Sequence, residues 1–141
     1  MRTFELNFEG YYIDMNALPT YGGIYLVYKG SYNPQTDKVS VGKLIYVGEA
    51  ENIRTRHTDG HEHQEDFDKA VKYIPNGKVI YSAAKIENEA DRKRVENALI
   101  YHEQPSINTD GTDIFPHPDT RVISSGRVTN MDTDYTQKRV D

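Results

Sequence analysis

The sequence predicts a small α/β domain, in which helices flank a central antiparallel three-stranded sheet that can accept an added N-terminal strand. Two observations carry this fold class. Short apolar runs that contain a tyrosine recur at 23–28, 43–48 and 78–86, and apolar residues at helical spacing lie between and after them. The chain of 141 residues is also short enough to form one domain and long enough to bury a core.

The composition limits the functional classes. The chain has no cysteine, which excludes disulfides, thiolate zinc sites and cysteine nucleophiles. Its formal net charge of −5 requires any nucleic-acid partner to meet a local basic patch. The N-terminal residues lack an apolar stretch long enough for a signal peptide, and no run approaches a membrane span. We therefore expect an intracellular, cytoplasmic protein without a membrane partner.

The first half of the chain predicts three strands. Phe4, Leu6 and Phe8 alternate with polar residues, which is the period of a half-buried strand. The runs GIYLVY (23–28) and KLIYVG (43–48) predict an antiparallel pair. The segment between them is rich in turn residues and predicts a long hairpin loop, inserted into an otherwise compact pair.

The register of this pair decides where its tyrosines lie. If paired residue numbers sum to an odd constant, Ile24 can pair with Val47, and Tyr25 then lies opposite Tyr46 on the other face. Side chains that face each other across two strands are about 5 Å apart. A slip by one residue would place the two tyrosines on opposite faces of the sheet. We therefore expect Tyr25 and Tyr46 to be neighbours.

Three helices and a fourth strand follow. Segment 49–60 predicts a short helix, and the apolar spacing of 64–74 predicts an amphipathic helix that ends at Pro-Asn-Gly. The run KVIYSAAKI (78–86) predicts a strand buried on both faces. Asn88 predicts the N-cap of a helix that continues to about Gln104.

A set of motifs adds a family resemblance. The words GIY and YVG occur in the paired strands, and the pattern Y-V-G-x-A-x-N-I-x-x-R from Tyr46 places Asn52 and Arg56. The later helix carries a single glutamate in this motif, Glu96, followed by a proline and Asn108. This order of motifs and elements resembles the GIY-YIG nuclease family over roughly residues 20–110.

The resemblance implies a metal-dependent endonuclease that hydrolyses phosphodiester bonds in DNA with one divalent cation, Mg²⁺ or Mn²⁺. It assigns Glu96 as the metal ligand, because a carboxylate oxygen suits a hard divalent ion. It implies that Tyr25 acts on the nucleophilic water while Tyr46 orients the network. Arg56 would pair with the scissile phosphate through its planar guanidinium.

Further residues receive roles in the same interpretation. Asn52, Arg54 and Asn108 are assigned to substrate binding. A tyrosine with an ordinary pKa of about 10 is a weak base at neutral pH, so nearby cations must favour its phenolate or another group must accept its proton. His61, one residue after the position where the family often has a histidine or tyrosine, and His57 are the two candidates for that acceptor.

In this interpretation residues 1–110 form a GIY-YIG nuclease-like domain with an N-terminal strand, and residues 111–141 form a polar C-terminal extension. Within the extension, TRVISSGRVTN (120–130) is typical of a small hairpin around Ser-Ser-Gly.

Other interpretations of the same residues stay open. The two tyrosines could be a stacked packing pair, and Glu96 could pair with Arg92 one helical turn earlier. His57, His61 and His63 could hold zinc, although no carboxylate motif of a metallohydrolase accompanies them. The whole domain could be a catalytically weakened module that binds nucleic acid or protein, and RNA is an alternative substrate to DNA.

Overall fold

The computed structural model describes all 141 residues as a six-stranded sheet with three α-helices and one short 3-10 turn at Met15–Ala17. The elements are β1 (Arg2–Tyr12), β2 (Gly23–Asn33), β3 (Lys38–Ala50), α1 (Ile53–Thr58), α2 (Gln64–Val71), β4 (Gly77–Lys85), α3 (Glu89–Glu103), β5 (Thr120–Gly126) and β6 (Asp134–Gln137). The predicted α/β class is therefore confirmed. No helix combines the length and the apolar character that a membrane crossing needs.

The sheet is larger than the sequence predicts. Its strand order is β3-β2-β4-β1-β5-β6, and only the β1–β5 pair is parallel. The predicted central sheet of three strands is therefore wrong in extent, although β3, β2 and β4 are adjacent and antiparallel. The N-terminal strand β1 links them to β5, because its residues 9–12 pair with β4 while residues 2–8 pair with β5.

The C-terminal segment 111–141 contributes two strands to this sheet and two side chains, Phe115 and Val122, to its larger core. Its hairpin differs from the prediction, because Ser-Ser-Gly lies inside β5 and the connection to β6 follows it. The inward-facing positions of β5 include Thr120 and Ser124, which are buried although they are polar. An apolar alternation was therefore absent from the sequence of this strand.

The β2–β3 connection is also different from the prediction. The strands continue as a ladder to the pair Asn33 and Lys38, so the connection is a short turn and the expected long loop is wrong. Tyr32 donates a hydrogen bond to Asp37 across the turn at 2.7 Å, and Val39 and Val41 pack against the core. These apolar contacts favour strand over loop.

The β2–β3 register has the predicted parity but is shifted by two residues. Tyr25 lies opposite Gly48, and Tyr46 lies opposite Val27, so both tyrosines are on one face as expected. Gly48 is required here, because a Cβ atom at this position would overlap the phenol ring of Tyr25. The pair of tyrosines is thus diagonal across the two strands.

Helices cover both faces of the sheet. Helix α3 is capped by Asn88, as predicted, and packs on the face that carries Leu26 and the larger core. Helices α1 and α2 cover the other face, where Tyr25 and Phe67 belong to a smaller and more aromatic core. Since β3 is an edge strand, the two helical layers can meet around it.

Candidate active site

A cavity of about 260 Å³ lies at the β3 edge, between α3 on one side of the sheet and α1 on the other. Five residues that the sequence singled out line it: Tyr25, Tyr46, Arg56, Glu96 and Asn108. They come from β2, β3, α1, α3 and the segment that follows α3. The fold thus brings together residues that are far apart in the chain.

Tyr25 reaches this cavity from the interior of the sheet. Its side chain is almost completely buried, with 1% exposed, because β2 lies between two other strands. Its ring passes over Gly48 of the edge strand and stacks on Tyr46, with 6.2 Å between centroids and 24° between planes. The Tyr25 hydroxyl forms a hydrogen bond of 2.8 Å with Nε2 of His61.

His61 is held in place on both sides of its ring. It is 5% exposed, and its Nδ1 accepts a hydrogen bond from the backbone N–H of His63 at 3.0 Å. Burial, with the nearby charges of His57 and Arg56, lowers the pKa of His61 to about 3. His61 is therefore a neutral imidazole at pH 7.

His57 is buried without a polar partner. Neither ring nitrogen has a hydrogen bond, and the ring stacks on His61 with 4.8 Å between centroids and 17° between planes. Burial, followed by the charge of Arg56, lowers the pKa of His57 to about 4. The zinc interpretation of His57, His61 and His63 is not supported, because their nitrogens do not form a group of converging ligand atoms.

Both tyrosines are protonated in this environment. Burial raises the pKa of Tyr25, the neighbouring Tyr46 raises it further, and the guanidinium of Arg56 lowers it. Burial and the carboxylates of Glu96 and Glu62 raise the pKa of Tyr46 to about 12. A proton-accepting tyrosine in this cavity therefore needs positive charge beyond that of Arg56.

Arg56 stands between two cavities. It lines the site cavity and also a wider groove of about 780 Å³, which includes Asn52 and the end of α1. Its side chain is 38% exposed, and its guanidinium pairs with Glu62 at 3.3 Å. An exposed pair of this kind contributes little to stability, so Arg56 can exchange Glu62 for an anionic ligand at small cost.

Glu96 projects from α3 into the cavity. Burial and the nearby charge of Glu49 raise the pKa of Glu96 to about 7. The backbone amide of Glu49 and the charge of Arg56 lower this pKa, but by less. No salt bridge includes Glu96. The expected alternative, a pair with Arg92, is wrong, because Arg92 is buried and pairs with Glu49 at 2.9 Å.

The three predicted substrate-binding residues have structural partners. Asn108 uses both polar atoms of its side chain on the backbone of Val47, at 2.9 Å each, and so extends the edge strand. Asn52 caps α1 by accepting from the N–H of Thr55, and it lines the wider groove. Arg54 donates to the carbonyl of Leu18 and does not line the site cavity.

Glu49 is the site residue that sequence reasoning missed. It follows the YVG word directly, lines both cavities and is fixed by Arg92, which also donates to the carbonyl of Glu87 at 2.7 Å. Its place beside the motif was the available signal. The only three metal-capable side chains whose ligand atoms converge, His102, Glu103 and Asp132, lie outside this cavity.

Comparison with known proteins found no matching family model, no matching curated protein and no matching solved structure. The resemblance to GIY-YIG nucleases therefore stays a prediction from the sequence motifs.

Proposed function

We propose that this chain is a metal-dependent endonuclease that hydrolyses phosphodiester bonds in DNA at the β3-edge cavity, through a GIY-YIG-like site. One observation carries the proposal. Tyr25, Tyr46, Arg56 and Glu96 come from four different elements, and all of them line the same small cavity. Packing alone does not require a carboxylate, a guanidinium and two phenols at one sheet edge.

The residues present fit a hard divalent cation such as Mg²⁺ or Mn²⁺. Glu96 offers carboxylate oxygens without a competing cationic side chain, and Glu49 adds negative charge beside it. Glu96 would hold the ion. When bound, the ion supplies positive charge next to the phosphate and makes a water molecule easier to deprotonate.

The chain's own residues divide the remaining work. The guanidinium of Arg56 binds the phosphate oxygens and stabilises the charge that develops there. Tyr25 lines the cavity, where its phenol orients the attacking water. Once its own hydroxyl proton has left to solvent through the cavity, the phenolate oxygen would accept the proton of that water. Tyr46 stacks on Tyr25 and holds the phenol in that direction.

A second candidate function is a catalytically weakened module that binds nucleic acid or protein. The acidity of the cavity favours the protein-binding form of this module, since the lining includes four carboxylates but only one arginine. The four are Glu49, Glu62, Glu96 and Asp110. Such a lining repels phosphate unless a cation is bound. Activity with added metal separates the two candidates.

The test is cleavage of supercoiled plasmid DNA with Mg²⁺, Mn²⁺ or EDTA, with a labelled RNA in parallel. We expect nicking with either metal and none with EDTA, and Glu96→Gln abolishes it while the protein stays folded. Glu103→Gln is the comparison variant, because Glu103 lies outside the cavity but belongs to the other metal-capable group of the chain. Loss of nicking in Glu103→Gln with Glu96→Gln still active would place the ion at that group and contradict the proposal. Metal-dependent binding without cleavage of either nucleic acid would favour the binding module.

A further inference from the structure

The two ring nitrogens of His61 have different hydrogen-bond partners. The backbone N–H of His63 points at Nδ1 at 3.0 Å, and the hydroxyl of Tyr25 lies 2.8 Å from Nε2. A backbone N–H can only donate, so Nδ1 must offer a lone pair. A neutral imidazole carries one N–H, which then has to be at Nε2.

This tautomer fixes the direction of the bond to Tyr25. With its proton at Nε2, His61 donates and the Tyr25 oxygen accepts. The hydroxyl proton of Tyr25 must therefore point away from His61. The guanidinium of Arg56, whose charge lowers the pKa of Tyr25, can likewise only donate. Tyr25 lines the same cavity as Glu96, which leaves space there for the hydroxyl proton.

We infer that His61 is a positioning residue that donates a hydrogen bond to Tyr25 and presents the Tyr25 hydroxyl proton to the cavity. This assignment is the reverse of the proton-acceptor role expected from the sequence. To accept the proton of Tyr25, His61 would need its own hydrogen at Nδ1, where it would face the N–H of His63. The effect of this hydrogen bond on catalysis rests on the proposed function, whereas the tautomer of His61 does not.

The surroundings of His61 prevent the ring from turning. The ring of His57 stacks on it, Phe67 lies 5.1 Å from it between centroids, and Tyr46 meets it edge-on at 5.3 Å. The preceding residue, Gly60, has a positive φ of 96°, a conformation that side-chain-bearing residues rarely adopt. The turn at Gly60 therefore places the His61 ring among these three aromatic rings in one orientation.

The direct test is the tautomer of His61 in the intact protein, measured by long-range ¹H–¹⁵N correlation NMR at pH 7. The chain has five histidines, and the signals of His61 are those that disappear in His61→Gln. We expect a protonated, pyrrole-type Nε2 and an unprotonated, pyridine-type Nδ1. A proton at Nδ1 overturns the inference, whether or not the protein cleaves DNA.

Two substitutions separate donation to Tyr25 from anchoring of the loop. The amide of His61→Gln can reach Tyr25 from the position of Nε2, whereas the amide of His61→Asn can reach only the N–H of His63. We expect His61→Gln to keep single-turnover cleavage near the wild-type rate and His61→Asn to lose about tenfold or more, the effect of one lost hydrogen bond to a reacting group. Thermal melts report the folding of each variant.

The opposite ranking, with His61→Asn active and His61→Gln impaired, overturns the inference in favour of a purely structural loop contact. If the wild-type protein cleaves neither DNA nor RNA, the proposed function fails while the NMR result still decides the tautomer. The two failures are thus distinguishable.

Discussion

Tyr25 and Tyr28 lie on the same strand, β2, and are equally buried, with 1% and 0% exposed, but they face opposite sides of the sheet. The hydroxyl of Tyr28 accepts from the N–H of Thr129 at 3.1 Å and donates to the sulfur of Met131 at 3.7 Å. The hydroxyl of Tyr25 instead meets a histidine side chain at the wall of a cavity.

The difference between them lies in their partners. Burial raises the pKa of both phenols, so neither depth nor the direction of the shift distinguishes them. All the polar contacts of Tyr28 are to the C-terminal segment, which it fixes to the sheet. Of the two phenols, only Tyr25 has a cationic side chain, Arg56, that lowers its pKa. A buried tyrosine becomes a candidate for chemistry through the groups around its hydroxyl.

The largest expected effect is the loss of DNA cleavage in the Tyr25→Phe variant. This change keeps the ring and its stacking on Tyr46 but removes the hydroxyl. We expect the single-turnover rate at saturating metal to fall by about 10²–10⁴-fold, the usual contribution of a general acid–base group. The free energy of unfolding should change by only about 1 kcal/mol, for one hydrogen bond.

Tyr28→Phe is the matched control on the opposite face. It leaves the N–H of Thr129 without its partner, so we expect a loss of about 1–2 kcal/mol in unfolding free energy and an unchanged cleavage rate. Denaturant unfolding and the same cleavage assay measure both effects. Equal cleavage rates for the wild-type and Tyr25→Phe proteins would show that Tyr25 has only a packing role, as Tyr28 does.

The second prediction concerns a substitution that displaces the side chain of Tyr25 without replacing Tyr25 itself. Gly48→Ala places a Cβ atom in the space of the phenol ring, and we expect a loss of about 1–3 kcal/mol in stability from overpacking. Cleavage should also fall, because the displaced hydroxyl leaves His61. In a Tyr25→Ala background the stability loss from Gly48→Ala should largely vanish, since the overlapping ring is gone. Additive losses in this cycle would contradict the ring-over-glycine arrangement.

The smallest expected effect concerns His57, which covers Tyr25 but has no polar partner. Its folded pKa of about 4 is lower than the ordinary value of 6.5, so the unfolded chain binds more protons between these two pH values. The stability from neutral His57 is present above pH 6.5 and is lost as the pH falls towards 4. His57→Phe removes this sensitivity and two unpartnered nitrogens.

For His57→Phe we expect unfolding free energy at pH 7.5 to stay equal or rise by about 1 kcal/mol. Its decline between pH 6.5 and pH 4 should be shallower than in the wild-type protein by about 1–3 kcal/mol. Urea unfolding across this range gives both quantities. An acid decline as steep as that of the wild-type protein would show that His57 is not the group that titrates.

Local patterns determined a large part of the fold. The alternation at Phe4, Leu6 and Phe8 predicted β1, the helical spacing predicted α2, and the cap at Asn88 marked where α3 begins. These features depend on residues within a few positions of one another, where backbone geometry sets the period. The motif likewise supplied five of the residues that line the cavity, whereas Asn52, Arg54 and His61 do not line it.

Pairing over long sequence separation was not visible in the sequence. Strands β5 and β6 join the sheet through β1, more than 100 residues earlier in the chain, and their inward positions include polar residues that a hydrophobic pattern does not detect. The two-residue shift of the β2–β3 register likewise follows from packing of Tyr25 against Gly48, since both registers leave the same alternation in the sequence.

The sequence by itself determined the residue types of the candidate site, and an odd register, once assumed, placed Tyr25 beside Tyr46. The tertiary structure alone decided that Arg92 pairs with Glu49 rather than Glu96, that Asn108 serves the backbone of Val47, and that His61 faces Tyr25 through Nε2. The physical reason is that hydrogen bonds and ion pairs depend on side-chain direction and on separations of a few ångströms. Those quantities are fixed only when the edge strand and both helical layers are in place.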